Sequence, residues 1–254
     1  MSTPRTYQTE AVIIHKIKLG EADRILTLYT SHLGKIRAVA KGVRRPRSKL
    51  AGHLELLTHS LVSLARGRNL DTITGSQTIN GFLPLKSDLE RTSAALYACD
   101  LIDQFTAEHA EGYHIFQLLL ETLDRLCQET NRELILRYFE MHLLTGAGYR
   151  PELMRCLSCS KTLEPVVNAF SVSAGGVLCP GCRSSQFAHP LPVNVLKVLR
   201  LLQSDRYDMV CRLKMDHALS SEISTIIRSY IRYLLERDVK SAAWLDSLER
   251  TAES

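Results

Sequence analysis

The sequence predicts an α+β, multidomain chain. A five-stranded barrel comes first, then an α-helical domain with an inserted four-cysteine ribbon. Three observations carry this. The first eighty residues alternate with the period of strands, the apolar pattern then changes to that of helices, and four of the seven cysteines form two CxxC pairs. With 254 residues, 45% of them hydrophobic and 23% charged, the chain has the composition of a globular protein with a core of its own. No run approaches the ~20 apolar residues of a membrane helix. Residues 1–10 hold no apolar signal core, so a cytoplasmic protein is the default expectation.

The barrel strands follow in order. Thr9 to Ile17 is rich in β-branched residues and is followed by Gly20. Arg24 to Thr30 alternates polar and apolar residues, and Gly34 marks a turn before Lys35 to Lys41 alternates again. Leu56 to Ala65 and Asp71 to Ile79 complete the set, with Gly67 and Asn69 between them as hairpin-turn residues. Five short strands in this length suggest a small antiparallel barrel. An OB-fold suits the count, and an SH3-like barrel is the alternative.

From Asp88 the period is helical. Tyr97, Leu101, Ile102 and Phe105 share one face, and Ile115, Phe116, Leu119, Leu120, Leu123 and Leu126 share another. Leu134 to Leu144 is a third helix, stopped by Gly146, Gly148 and Pro151. Helices resume after Pro192. The cleanest amphipathic one runs from Ile223 to Leu235, with Ser220 or Ser221 as its expected cap. The expected division is residues 1–81 for the barrel, 82–150 and 188–254 for the helical domain, and 151–187 for the ribbon.

Cys156-x2-Cys159 and Cys179-x2-Cys182 stand 19 residues apart. Each CxxC turn brings two thiolates to one point, and two facing turns complete a tetrahedron, which is the zinc-ribbon arrangement. With four thiolates no position is open to water, so the zinc is expected to be structural. Ribbon knuckles often carry Gly after the second cysteine, but Ser160 and Arg183 stand there, so the turns are expected to be less ideal. Cys99 and Cys127 lie in apolar helical stretches and read as core residues. Cys211 lacks ligand spacing.

Charge is unevenly spread. Residues 1–80 carry 13 Lys+Arg against 5 Asp+Glu, a surplus of +8, whereas residues 81–254 sum to −3. Between Arg24 and Leu54 there is no acidic residue, and the window holds Arg24, Lys35, Arg37, Lys41, Arg44, Arg45, Arg47 and Lys49. Pro46 argues for a flexible loop at its densest part. Arg66 and Arg68 beside a later turn extend the candidate patch. Nucleic acid is the expected partner, the bland alternative being a solvated basic face. Tyr7 and Tyr29 are the only Phe, Tyr or Trp residues before residue 81, so few bases can stack there. Phosphate contacts are therefore expected to dominate.

No phosphate loop, dinucleotide fingerprint, HExxH or GxSxG is present, and the nine histidines propose no site. The chain is expected not to be an enzyme. A DNA-processing enzyme with a site assembled from distant residues is kept as one alternative. A zinc-ribbon RNA-binding or transcription-associated module is another.

The segment Gly148-Tyr149-Arg150-Pro151-Glu152-Leu153-Met154-Arg155-Cys156-Leu157-Ser158-Cys159, continuing through Phe170, Gly175-Gly176 and Cys179-Pro180-Gly181-Cys182, resembles the bacterial RecO family of DNA repair and recombination proteins. So do Gly20 to Arg24, Gly34-Lys35, Ala40 to Ser48 and, more weakly, Lys240 to Leu245. The resemblance implies an N-terminal OB-fold and a helical domain with a zinc-binding insert. It also implies binding to single- and double-stranded DNA, annealing of complementary strands, and help in loading recombinase onto coated strands. The partners it implies are RecR and the acidic tail of single-strand-binding protein. The Ile223–Leu235 helix, with Arg228, Arg232 and Arg237 around it, is a candidate groove for that tail, weighed against plain core packing.

Overall fold

The computed structural model describes residues 5–183, 188–236 and 241. Two compact units emerge: residues up to Glu129, rejoined by the chain at Ser241, and residues Thr130–Val239. Among the described residues no helix is long and apolar enough to cross a membrane.

The first unit opens with strands β1 (Thr6–Leu19), β2 (Asp23–Thr30), β3 (Gly34–Ala40), β4 (His59–Ala65) and β5 (Asp71–Asn80). They close into an OB-like barrel in the order β1-β2-β3-β5-β4. Each of the five overlaps an expected segment, with differences at the ends. The long β1 serves two neighbours, pairing with β4 through its first half and with β2 through its second, and its register shifts between Ile13 and His15. Such a bulge turns the strand around the barrel. The barrel is not wholly antiparallel, because β3 meets β5 in parallel at Ala38–Asp71 and Val39–Thr72. Inside lie Ile13, Leu26, Leu28, Ile36, Leu64 and Ile73, the alternate residues that the period-two pattern marks. The expected fourth strand starts too early. Leu54 and Leu57 are apolar because they are buried in the connection before β4, with Leu57 in a left-handed conformation.

Among the described residues, α1 (Leu83–Lys86), α2 (Leu89–Phe105) and α3 (Tyr113–Gln128) follow the barrel in this unit. Asp88 caps α2 by accepting the Arg91 N–H at 3.0 Å. The Arg91 guanidinium donates to the carbonyls of Leu126, at 2.8 Å, and Cys127, satisfying the open end of α3. The α2–α3 connection lies along the start of β3, where His109 N donates to the Lys35 carbonyl at 2.9 Å and Glu108 bridges Lys35. Gly34, with φ +60°, has to be glycine there, since a Cβ would collide with the Ala110 carbonyl. Ser241 Oγ donates to Asp100 at 2.7 Å. Cys99 is buried and Cys127 half-buried, consistent with core packing.

The second unit contains α4 (Arg132–Gly146), the strands β6 (Asn168–Ser171), β7 (Gly176–Leu178) and β8 (Ala188–Leu191), and then α5 (Val193–Leu202), α6 (Tyr207–Val210) and α7 (His217–Leu235). The sheet order is β7-β6-β8. Gly148, at φ +84°, stops α4 as expected, and Tyr149 N reaches back to the Leu144 carbonyl at 2.7 Å. The expected cap of α7 is corrected: Asp216 accepts the Leu219 N–H at 2.8 Å, while Ser220 is buried one turn in. Ile223, Ile226, Ile227, Tyr230 and Ile231 are buried, so this face packs into the core and is not an open groove. Arg237 and, apart from Ser241, the segment 240–245 lie outside the described residues. A fully buried pair, Arg137 and Glu140 at 2.8 Å, sits on α4, with Arg137 also donating to Ser224 Oγ at 2.7 Å.

Candidate nucleic-acid interface and metal centre

The basic residues near Arg24 gather where the β1–β2 hairpin meets the connection after β3. That connection is held, not free: Gly42 N donates to Asp23 Oδ1 at 2.7 Å and Arg44 N to the Ala22 carbonyl at 2.9 Å. Arg45 N returns to the Gly42 carbonyl and Ser48 N to the Arg45 carbonyl, so successive tight turns replace the flexible loop expected from Pro46. On this frame Lys41, Arg44, Arg45, Arg47 and Lys49 are exposed. Arg44 also donates from its guanidinium to the Gly20 carbonyl at 3.2 Å.

Register sorts the other candidates. Arg37 stands opposite Thr27 on the outer face and is exposed. Arg24 stands opposite Ala40 and so shares the interior face, at the barrel's end, where it meets Glu55 at 3.4 Å. Lys35 does not join the exposed group: its side chain is 11% exposed, pairs with Asp103 at 3.0 Å and donates to the Asp103 carbonyl. Arg66 lies over the Tyr7 ring, 4.9 Å from its centroid, and Arg68 is exposed on the β4–β5 turn. Tyr29 is fully buried and offers no stacking surface. Tyr7 donates to Asp71 at 2.5 Å, and burial together with that carboxylate pushes its hydroxyl well above the usual range.

Two basic residues in this region escape a reading of the charged window. Lys16 precedes it and Lys86 follows it: Lys16 Nζ donates to Glu55 Oε2 at 2.7 Å, and Lys86 lies near enough to feel the charge of Glu55 and of Lys16. The sequence signal available was Glu55 itself, the acid that ends the acid-free window.

In the second unit the thiols of Cys156, Cys159, Cys179 and Cys182 lie within 4.8 Å of one another, with Cys159 and Cys179 3.8 Å apart. A tetrahedron with metal–sulfur bonds of about 2.3 Å has edges of about 3.8 Å, so the donors fit a four-thiolate metal. The first knuckle is closed by Cys156 N to the Lys161 carbonyl at 2.9 Å and Ser160 N to the Cys156 carbonyl at 2.8 Å. The second is a 3-10 turn, Pro180–Cys182. Burial acts to raise the Cys156 thiol, but backbone N–H groups of Cys179, Cys159 and Ser158 outweigh it and hold it down at about 6. Those N–H groups favour the thiolate, the form that binds metal. A hydrogen bond with Ser158 draws Cys182 down, but bonds with the Cys179 and Cys159 sulfurs outweigh it and push it up to about 11.

The two knuckles differ where glycine is missing. Ser160 adopts φ +58°, whereas Arg183, at φ −64°, carries no such strain. Ser160→Gly is therefore expected to stabilise the insert by about 0.5–1 kcal/mol, the relief of the left-handed side chain less the entropy of glycine. Thermal unfolding of the metal-loaded protein reads this out, and a lowered midpoint would contradict it. His142, by contrast, is satisfied, with Nε2 3.2 Å from the Ser204 carbonyl and Nδ1 3.7 Å from Asp205.

The sequence matches two family models, one described as Recombination protein O N terminal over residues 1–82 and one as Recombination protein O C terminal over residues 86–243. It is 48% identical over 248 residues to the "DNA repair protein RecO" of Dehalococcoides mccartyi strain CBDB1, covering 98% of each chain. The protein of that name from Roseiflexus sp. strain RS-1 is 42% identical over 247 residues, which is 97% of this chain and 87% of the relative. That from Desulforamulus reducens is 33% identical over 252 residues.

Proposed function

The chain belongs to the recombination protein O family and has a DNA repair and recombination role, and from that premise we propose that it acts as a DNA-binding and annealing mediator. It binds single- and double-stranded DNA mainly through phosphates and brings complementary strands together. It also assists recombinase loading onto strands coated by single-strand-binding protein. RecR and the acidic tail of single-strand-binding protein are its protein partners, and the nucleoid in the cytoplasm is its place of work. Residues 1–81 supply the DNA-binding barrel. The helical part is assigned to residues 82–150 and 188–254, of which α1–α3 share the compact unit of the barrel, and the ribbon to 151–187, with zinc as the structural metal.

The observation that supports this reading best is the held basic connection, with Arg44, Arg45, Arg47 and Lys49 exposed on a frame of backbone hydrogen bonds. Complementary strands repel through their phosphates. Cations that release counterions from one or both strands lower that repulsion, and no bond is made or broken. The buried Tyr29 and the Arg-covered Tyr7 leave little surface for base stacking, in keeping with a grip on the backbone.

The test is annealing of complementary oligonucleotides coated with their single-strand-binding protein, without ATP, at low and moderate salt. Faster annealing that weakens with salt is expected. No acceleration by folded, metal-loaded protein would sink the reading, and a preference for RNA would favour an RNA-binding module instead.

A further inference from the structure

At the barrel's end, Lys16 and Lys18 fall on the same side of β1, opposite Leu26 and Arg24 of β2. Lys16 and Arg24 converge on Glu55, one on each carboxylate oxygen, at 2.7 and 3.4 Å. Lys86 approaches from α1, donating to Thr58 Oγ1 at 2.8 Å. Burial lowers its affinity for a proton, the Glu55 charge opposes this, and Lys16 adds a smaller lowering. Two cations therefore hold one acid directly, and Lys86 stands near enough to feel its charge. The site is open, with 32%, 23% and 42% of the Lys16, Arg24 and Glu55 side chains exposed. It also adjoins the basic connection, since Asp23, next to Arg24, holds Gly42.

A carboxylate offering two oxygens to two cations has the acceptor pattern of the two non-bridging oxygens of a phosphodiester. Exposed ion pairs are weak, so an incoming phosphate faces only a small cost in displacing this one. We propose that Lys16, Arg24 and Lys86 form a phosphodiester-binding subsite, that Glu55 occupies it in the free protein, and that the DNA backbone displaces Glu55. The subsite rests on the DNA-binding reading and deepens it. The resident carboxylate acts as a built-in competitor, which keeps the hold on DNA reversible. Low salt strengthens the resident pair as well as the DNA contact, so the gain from removing Glu55 is greatest there.

The experiment is titration of a labelled oligothymidylate with full-length, metal-loaded protein across a salt series. Glu55→Gln keeps the shape and removes the charge. It is expected to tighten binding about five- to tenfold at low salt, the combined worth of two exposed pairs. Lys16→Met is expected to reduce the salt slope by about 0.7, one single-strand phosphate contact. In a Lys16→Met, Arg24→Met background, Glu55→Gln should no longer tighten binding. Wild-type affinity in Glu55→Gln, or a wild-type slope in Lys16→Met, overturns the subsite while the DNA reading stands. Should Glu55→Gln prove unfolded by its melting curve, the Lys16→Met slope decides alone. Wild-type protein that fails to bind the oligonucleotide at any salt overturns the DNA reading and the subsite with it.

Discussion

Cys156→Ser protein is expected to emerge from a reducing purification without stoichiometric metal and with its insert unfolded. Cys156 is 1% exposed, and its sulfur accepts the Cys179 N–H at 3.3 Å, so it links the two knuckles even before metal is considered. Structural zinc in small modules contributes roughly 10–16 kcal/mol at neutral pH, comparable to the whole stability of a domain. The strands β6, β7 and β8 are only four, three and four residues long, too short to hold together on their own. Elemental analysis reads the metal, and hydrogen exchange reads the strands. Cys211→Ser, which alters an exposed cysteine outside the cluster, should keep full metal content. Oligonucleotide binding should change by no more than about twofold, because the barrel belongs to the other compact unit. Full metal content in Cys156→Ser would rule out the four-thiolate site.

The second large effect is on DNA. Replacing Arg44, Arg45 and Arg47 together with Ala is expected to lower the slope of log affinity against log salt by about 2, at 0.7 per single-strand phosphate contact. At low salt the affinity should fall by more than about tenfold, with the loss shrinking as salt rises. All three side chains are exposed, so stability should stay within about 0.5 kcal/mol of wild type. Arg44 lends part of its guanidinium to Gly20, so it should contribute the least of the three. An unchanged slope would remove this connection from the interface.

Much of the fold was legible because its signals are local. Alternation in Arg24 to Thr30 follows directly from one face meeting the barrel interior, and β2 runs Asp23–Thr30. The CxxC pairs carry their geometry in their spacing, and the four sulfurs do meet. Signals failed where local chemistry was ambiguous or partners were distant. Ser220 and Ser221 both have the chemistry of a cap, but packing buries Ser220 one turn inside the helix and the cap falls to Asp216. The helices α1 and α6 have four residues each, too few to show a period. Lys35 reads as one more cation in a basic run, but its partner Asp103 is far along the chain, on a helix whose position no strand pattern reveals. The same holds for Glu55, which meets Lys16 and Arg24 across 39 and 31 residues. Loop rigidity was hidden too: Pro46 signals a break in regular structure but not the backbone bonds that fix the break.

The α2–α3 connection has one more consequence. On the side of β3 away from β2, β5 engages only Ala38 and Val39, while Glu108 and His109 engage Lys35. A strand whose outer backbone groups lack partners is an edge, and edges invite pairing between molecules. A fragment ending at residue 81 would keep β5 but expose the Gly34–Arg37 backbone as such an edge, and would be prone to aggregate. The point where strands give way to helices and the point where the barrel becomes self-sufficient are thus different places in the chain, and the second lies beyond Ala110.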